Sequence, residues 1–237
     1  MSTKISPMSP IAANLQAVRR RIDAALAGSG REVRLVAVSK QRPPEAIREA
    51  IAAGCRDLGE SYMQEALPKI AALQGAGATW HYIGHLQTNK ARDVAENFDW
   101  VHGIDRARAA AALDRARPAG RAPLEVCVQV NISAEATKGG VAPEAVLELC
   151  REVAAFPRLR LRGLMGMAEP TADIALQRSQ FARLRSAFEE ARAAGLGLDT
   201  LSMGMSDDFE AAIAEGSTLV RIGTAIFGER LKRERAA

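Results

Sequence analysis

The chain has 237 residues, 48% of them hydrophobic and 25% charged, the mix of a globular protein long enough to bury one sizeable core. Its net charge of +4 (32 basic against 28 acidic residues) is scattered over helix faces without aromatic interleaving, which excludes a nucleic-acid footprint but suits a small anionic ligand. Three widely spaced cysteines, Cys55, Cys127 and Cys150, exclude a disulfide framework and a zinc motif.

Residues 1–9, with three serines, a threonine and Pro7, read as a loose start. Leu15, Val18, Ile22 and Leu26 then recur at helical spacing, so the pattern predicts a leading helix over 11–27, stopped by Gly28-Ser29-Gly30. From there strand-like and helical stretches alternate. Strands are expected at 34–39, 56–60, 80–83, 100–104, 124–132, 159–167, 200–205 and 219–222. Helices are expected between them at 44–53, 62–73, 89–97, 106–117, 143–155, 174–194 and 207–214, with a last short one at 229–235. No hairpin signal joins any two strands, so the crossovers are parallel and right-handed. Eight such units point to an α/β protein, a single (β/α)8 TIM barrel with an extra N-terminal helix. A doubly wound open sheet would want a G-x-G-x-x-G loop after the first strand, and the sequence has none there. No Pro/Gly/Ser-rich linker divides the chain, so residues 1–237 read as one domain with a C-terminal tail at 229–237. No apolar run approaches about 18 residues and the N-terminus has no charged-then-apolar signal pattern, so a soluble, cytoplasmic protein without membrane contact is expected.

Functional groups of such a barrel gather at the carboxyl ends of its strands. The first strand, Leu35-Val36-Ala37-Val38-Ser39-Lys40, is apolar up to a single lysine, and Pro43 and Pro44 forbid its continuation. Lys40 thus sits at the end of a buried strand, where a desolvated amine can serve as a nucleophile. The second strand ends in Gly59-Glu60-Ser61, the third in Gly84-His85, the fifth near Asn131, the sixth in Met165-Gly166-Met167. The seventh ends in Met203-Gly204-Met205-Ser206, and the eighth in Gly223-Thr224, with Arg221 two residues before. Backbone N–H groups and hydroxyls after strands seven and eight make a phosphate cradle, with Asp207 and Asp208 turned away and Lys40 facing it across the barrel. A lysine with a phosphate cradle points to pyridoxal 5'-phosphate held as a Schiff base; an aldolase of phosphorylated sugars needs the same parts, plus a carboxylate base for which Glu60 is the candidate. His81 and His85 are four apart, but on a strand they do not share a face, so no metal is expected. Lys138, in the polar loop after the fifth strand, is a second amine near the mouth.

Seven stretches carry a resemblance along most of the chain: AVSK ending in Lys40, LGESYMQE at 58–65, WHYIGHLQTNK at 80–90, QVNIS at 129–133, GLMGM at 163–167, LSMGMSDDFEAAI at 201–213 and VRIGTAIFG at 220–228. With them the chain resembles the pyridoxal phosphate homeostasis protein family, whose barrel is similar to the N-terminal domain of alanine racemase. The resemblance implies pyridoxal phosphate bound to Lys40 as a Schiff base. It implies Ser202, Ser206, Gly223 and Thr224 around the phosphate, Arg221 near the ring nitrogen or the phosphate, Met165 and Ser61 among the cofactor contacts, and Lys138 as a second contact or transfer site. Ser61 stands where the family usually has asparagine, and Lys138-Gly139-Gly140 replaces lysine-serine-glycine. The expected role is a monomeric carrier that buffers the cofactor and delivers it to apo-enzymes. The alternative is an amino-acid racemase, which needs a second base on the other cofactor face. The sequence ends soon after the eighth strand, without the racemase's second domain, and no tyrosine follows Tyr82.

Overall fold

The computed structural model describes residues 9–133 and 139–229. Helix α1 (Pro10–Leu26) starts where the Ser9 hydroxyl accepts from the Ala12 N–H and proline takes the first position. Its Leu15, Val18 and Ile22 form one buried stripe. Eight strands and eight further α-helices follow among the described residues. They are β1 (Arg34–Val38), α2 (Pro44–Ala52), β2 (Asp57–Glu60), α3 (Met63–Ala72), β3 (Thr79–Tyr82), α4 (Ala91–Asn97), β4 (Trp100–Ile104) and α5 (Ala107–Ala116). Then come β5 (Leu124–Val130), α6 (Val146–Ala154), β6 (Leu159–Gly166), α7 (Ile174–Ala193), β7 (Thr200–Ser202), α8 (Phe209–Ala214), β8 (Leu219–Ile222) and α9 (Thr224–Phe227).

The strands form one closed parallel barrel in sequence order. Its closure is the β1–β8 pairing, with Arg34 opposite Leu219, Val36 opposite Arg221 and Ala37 opposite Ile222. Alternate side chains along each strand therefore face either the barrel axis or the helices. The helix-facing set, including Ala37, Leu58, Val101, Val126, Leu164 and Ile222, belongs to one large apolar core with α1–α9. Trp100, Cys127 and Met165 form a second, smaller cluster on the axis. Gly59 also faces inward: a Cβ there would meet Val36 at 3.1 Å and Ile83 at 3.2 Å, so the small residue leaves room for its branched neighbours. Burial holds the Cys127 thiol up near 12, so it packs as a small hydrophobe. Among the described residues, no helix is long and apolar enough to cross a membrane.

The pattern-based barrel and leading helix are found, with shifted ends. The seventh strand stops at Ser202 instead of 205, because Gly204 takes a φ of 100° and lies against Phe209 and Ala212 of α8, where a Cβ would sit 2.8–2.9 Å from them. The fifth strand stops at Val130. The helix expected over 229–235 falls almost wholly outside the described residues, as does Lys138.

Close strand packing makes one residue decisive. A Cβ on Gly163 of β6 would lie 1.8 Å from the Thr200 carbonyl oxygen of β7. Gly163→Ala must push the two strands apart, and a loss of about 3 kcal/mol or more in urea unfolding is expected.

Candidate functional site

Lys40 is half-buried at the second position past β1. The strand cannot run on into Pro43-Pro44, and the chain folds into a tight turn closed by the Arg42 N–H donating to the Ser39 carbonyl at 3.0 Å. Gln41, third in that turn, has a φ of 61°, the left-handed region that a non-glycine residue enters at a cost of about 1–2 kcal/mol. The surroundings hold it there. The Gln41 N–H donates to Glu65 Oε2 at 2.8 Å, and Lys69 Nζ donates to the Ser39 carbonyl at 2.9 Å. The Ser39 hydroxyl donates to Glu60 Oε1 at 2.6 Å, and Lys69 reaches the same oxygen at 2.8 Å. On the other side, the Arg42 guanidinium donates to the Gly228 and Glu229 carbonyls. The peptide groups that carry Lys40 are thus tied to α3 and to the segment after α9.

Glu60 and Lys69 lie in the layer between barrel and helices, both almost fully buried. Burial pushes the Glu60 carboxyl up, with Lys69 and Ser39 opposing. Its Oε2 has no hydrogen-bond partner among the described residues. This carboxylate braces the turn from behind; it faces α3, away from the barrel axis.

Barrel closure puts the ends of β1 and β8 side by side, which corrects the expectation that Lys40 faces the cradle across the barrel. Gly223 packs on the strand that carries the lysine: a Cβ there would sit 3.3 Å from the Val38 carbonyl oxygen. The Ser206 hydroxyl accepts from the Ala225 N–H at 3.3 Å, which gathers Ser206, Gly223 and the exposed Thr224 into one group. Asp208 is buried and turned back, its Oδ1 accepting from the Met205 N–H at 2.5 Å; Asp207 is exposed. Tyr62, Met167 and Met205 stand exposed on the loops after β2, β6 and β7, an apolar rim at the same end of the barrel.

Below the mouth, Arg221 is buried on the axis. One terminal nitrogen, Nη1, donates to the Ser202 carbonyl at 2.7 Å and to its hydroxyl at 2.6 Å, and the other, Nη2, donates to the Gly166 carbonyl at 3.1 Å. Burial pulls the guanidinium down to about 10, with Asp208 and Cys127 opposing, so it stays a cation at neutral pH. The Ser202 hydroxyl also meets His102 Nδ1 at 2.8 Å, His102 Nε2 meets His81 Nδ1 at 2.9 Å, and His81 Nε2 meets Asp57 Oδ1 at 2.9 Å. Burial lowers both histidines; for His102, the charges of His81, Arg221 and Arg34 add to it.

The structure thus brings Lys40, Ser206, Gly223 and Thr224 to one end of two neighbouring strands. Arg221 lies beneath them, and Ser202 is spent on Arg221 and His102. Met165 is buried with Trp100 and Cys127 on the axis, and Ser61 is half-exposed after β2, its carbonyl lying where a Cβ on Gly84 would come within 2.3 Å. His81 lies inside the barrel, whereas His85 is largely exposed beside Asp105. Sequence reasoning missed Asp57, His102 and Lys69. The signal for His102 was present: a histidine at an inward position of an otherwise apolar strand. Lys69 gave none, since Glu65 and Lys69 form an ordinary helical pair.

A lysine ending the first strand, with an arginine and a hydroxyl-lined turn ending the last, defines a parallel barrel of the alanine racemase type. The family described as "Alanine racemase, N-terminal domain" matches residues 11–231. The pyridoxal phosphate homeostasis protein of Pseudomonas aeruginosa is 55% identical over 226 residues, covering 94% of this chain and 97% of that one. The protein of the same name from Escherichia coli K12 is 51% identical over 229 residues, covering 94% and 98%. The chain belongs to the pyridoxal phosphate homeostasis protein family. A solved structure of PipY from Synechococcus elongatus, with pyridoxal phosphate bound, is 38% identical with a TM-score of 0.80, covering 92% of this chain and all of that one. Alanine racemase from Corynebacterium glutamicum shares the fold at 17% identity and a TM-score of 0.70, with this chain covering 63% of its length.

Two outcomes follow from the buried charges. Lys69→Met leaves Glu60 buried without its cation and should destabilise the fold by about 3–5 kcal/mol, while Lys69→Met with Glu60→Gln should recover most of that loss in denaturant melts. For the histidines, the unfolded chain takes up protons below about pH 6.5 that the folded chain refuses. Their contribution is therefore complete above that pH and is lost as the pH falls, by up to about 1.4 kcal/mol per pH unit for each ring. Urea midpoints between pH 8 and pH 5 should show this decline, and it should be shallower in His102→Gln.

Proposed function

We propose that the protein binds pyridoxal 5'-phosphate as a Schiff base on Lys40 and acts, as a cytoplasmic monomer, in intracellular homeostasis of that cofactor, passing it to apo-enzymes that depend on it. The observation that carries this reading is the placement of Lys40 on the strand paired with the one that ends in Gly223 and Thr224. An amine and a set of phosphate donors then face one small ligand that bears both an aldehyde and a phosphate. The bound form of PipY and the names of the relatives support the same cofactor.

The parts fit the group. The Lys40 amine condenses with the aldehyde, and one water leaves. The Ser206 hydroxyl, the Thr224 hydroxyl and the backbone at Gly223 take the phosphate. Arg221 presents a fixed cation beneath the ring: of its five N–H donors, three go to Ser202 and Gly166, and two have no partner among the described residues. A cation there disfavours protonation of the ring nitrogen and weakens the electron sink that the cofactor supplies when bound. Ser202 contributes by holding Arg221. By the family resemblance Ser61 and Met165 would be further cofactor contacts, and Lys138 a second contact or transfer site.

An amino-acid racemase would need a second base facing the cofactor. Glu60 is turned into the helix layer, and His81 and His102 lie under Arg221. Both arrangements favour holding the cofactor over turning it over.

Purified protein should be yellow, and borohydride should fix the cofactor to the peptide containing Lys40. Lys40→Ala should lose both the visible absorbance and the trapped adduct; an adduct at wild-type level in that variant would exclude Lys40. Incubation with single-enantiomer amino acids should give no sustained formation of the other enantiomer, and robust turnover would establish the racemase instead.

A further inference from the structure

The polar groups under Arg221 form one continuous line through the barrel: Arg221, Ser202, His102, His81, Asp57. Its two ends have opposite capacities. A guanidinium can only donate, and a carboxylate can only accept. With both rings neutral, the carboxylate end sets the order: Asp57 Oδ1 takes the His81 Nε2 proton, which leaves Nδ1 of each ring as an acceptor. Ser202 Oγ, which accepts from Arg221, then gives its own proton to His102 Nδ1 at 2.8 Å. His102 must then carry its proton on Nε2, which points it at His81 Nδ1, 2.9 Å away. His81 in turn carries its proton on Nε2 and gives it to Asp57 Oδ1 at 2.9 Å. For neutral rings any other placement sets two lone pairs or two N–H groups against each other in a site closed to water, where an unmade hydrogen bond is expensive. His81, His102 and Ser202 are fully buried, while the Asp57 side chain is about a quarter exposed, at the amino-terminal end of its strand. The line therefore runs from the face opposite the mouth up to the layer beneath it.

The rings are held in place from the sides. His81 stacks on Trp100 with centroids 5.4 Å apart and planes 16° apart. Arg34 and Arg162 cover Trp100 at 5.4 and 5.1 Å from its ring. The charged groups acting on His81 are Asp57, Arg34 and Asp99, and those on His102 are His81 when charged, Arg221 and Arg34. At His102 burial and these cations all act against a charged ring.

We propose that Asp57, His81 and His102 are positioning residues for Arg221. Through a single file of hydrogen bonds with one donor direction, a carboxylate on the far face of the barrel sets the orientation of the guanidinium that meets the ligand. The link from Arg221 to the ligand rests on the proposed cofactor reading; the order of the protons does not.

The two are tested apart. The sequence has only three histidines, His81, His85 and His102, so side-chain nitrogen NMR of 15N-histidine-labelled, cofactor-free protein resolves each ring. His81 and His102 should both appear neutral with the proton on Nε2, unchanged from pH 8 to pH 6. Ser202→Ala should shift the His102 nitrogens and, through them, those of His81. A proton on Nδ1 of either buried ring, or a charged ring at pH 7, would overturn the proposal. For the ligand end, His102→Gln keeps one acceptor and one donor in the line, whereas His102→Leu breaks it. Pyridoxal phosphate should bind the Leu variant roughly tenfold more weakly or worse, and the Gln variant within about threefold of wild type. A folded Leu variant with wild-type affinity would also overturn it. Should the Leu variant fail to fold, the nitrogen shifts in wild type and Ser202→Ala still decide. If wild type binds no cofactor, the functional reading fails while the proton order stands or falls on its own spectrum.

Discussion

Everything at the mouth depends on the hydrogen-bonded seam between β1 and β8. Four residues of each strand meet in register there. The seam turns a string of β/α units into a closed barrel without an exposed edge. It also sets the spacing between the lysine and the Gly223–Thr224 turn, since both hang from paired strands. A slip of one residue would turn Val36 and Arg221 towards the helices and point Ala37 and Ile222 inward. The apolar layer under α1–α9 forbids that slip, so the packing of the outer core sets the geometry of the inner site.

The two sides of the barrel wall handle buried charge differently. On the outer side, Lys69 and Glu60 form a close pair that braces the Ser39–Arg42 turn, with one carboxylate oxygen left over. Pairs of this kind add little net stability, because desolvation offsets the attraction, but they fix geometry. On the inner side, Arg221 has no carboxylate in direct contact among the described residues. Its charge is balanced by carbonyl dipoles, by the field of Asp208 and by polarisable rings that lead to Asp57. The wall thus separates a rigid support for the amine from a rigid support for the cation.

Much of this was legible in the sequence. Alternation gave eight strands, and Pro43-Pro44 after an apolar run placed Lys40 at a strand end. The Ser206 and Gly223–Thr224 grouping followed from the usual place of phosphate sites on such barrels. Other features were not legible because they depend on spatial neighbours. That β1 closes on β8 decides whether Lys40 sits beside the cradle or opposite it, and periodicity carries no such information. Ser202 reads as a phosphate contact by resemblance, yet it lies inside the barrel, bonded to Arg221 and His102. Lys69 is 29 residues from Lys40 and looks like a surface lysine until α3 is laid against the turn. His102 was visible as an inward polar residue, but its meaning required His81 and Ser202 from two other strands.

The seam has a consequence for synthesis on the ribosome. β1 emerges among the first 40 residues, yet its partner on one side is the last strand of the chain. Asn14 of α1 likewise donates to the carbonyl of Ile226, 212 positions later. Contacts of such sequence separation close only when nearly all of the protein has left the exit tunnel. No nascent fragment short of β8 can assemble the pairing that sets Lys40 beside Gly223. A truncated chain therefore carries Lys40 without the turn that stands beside it in the finished barrel.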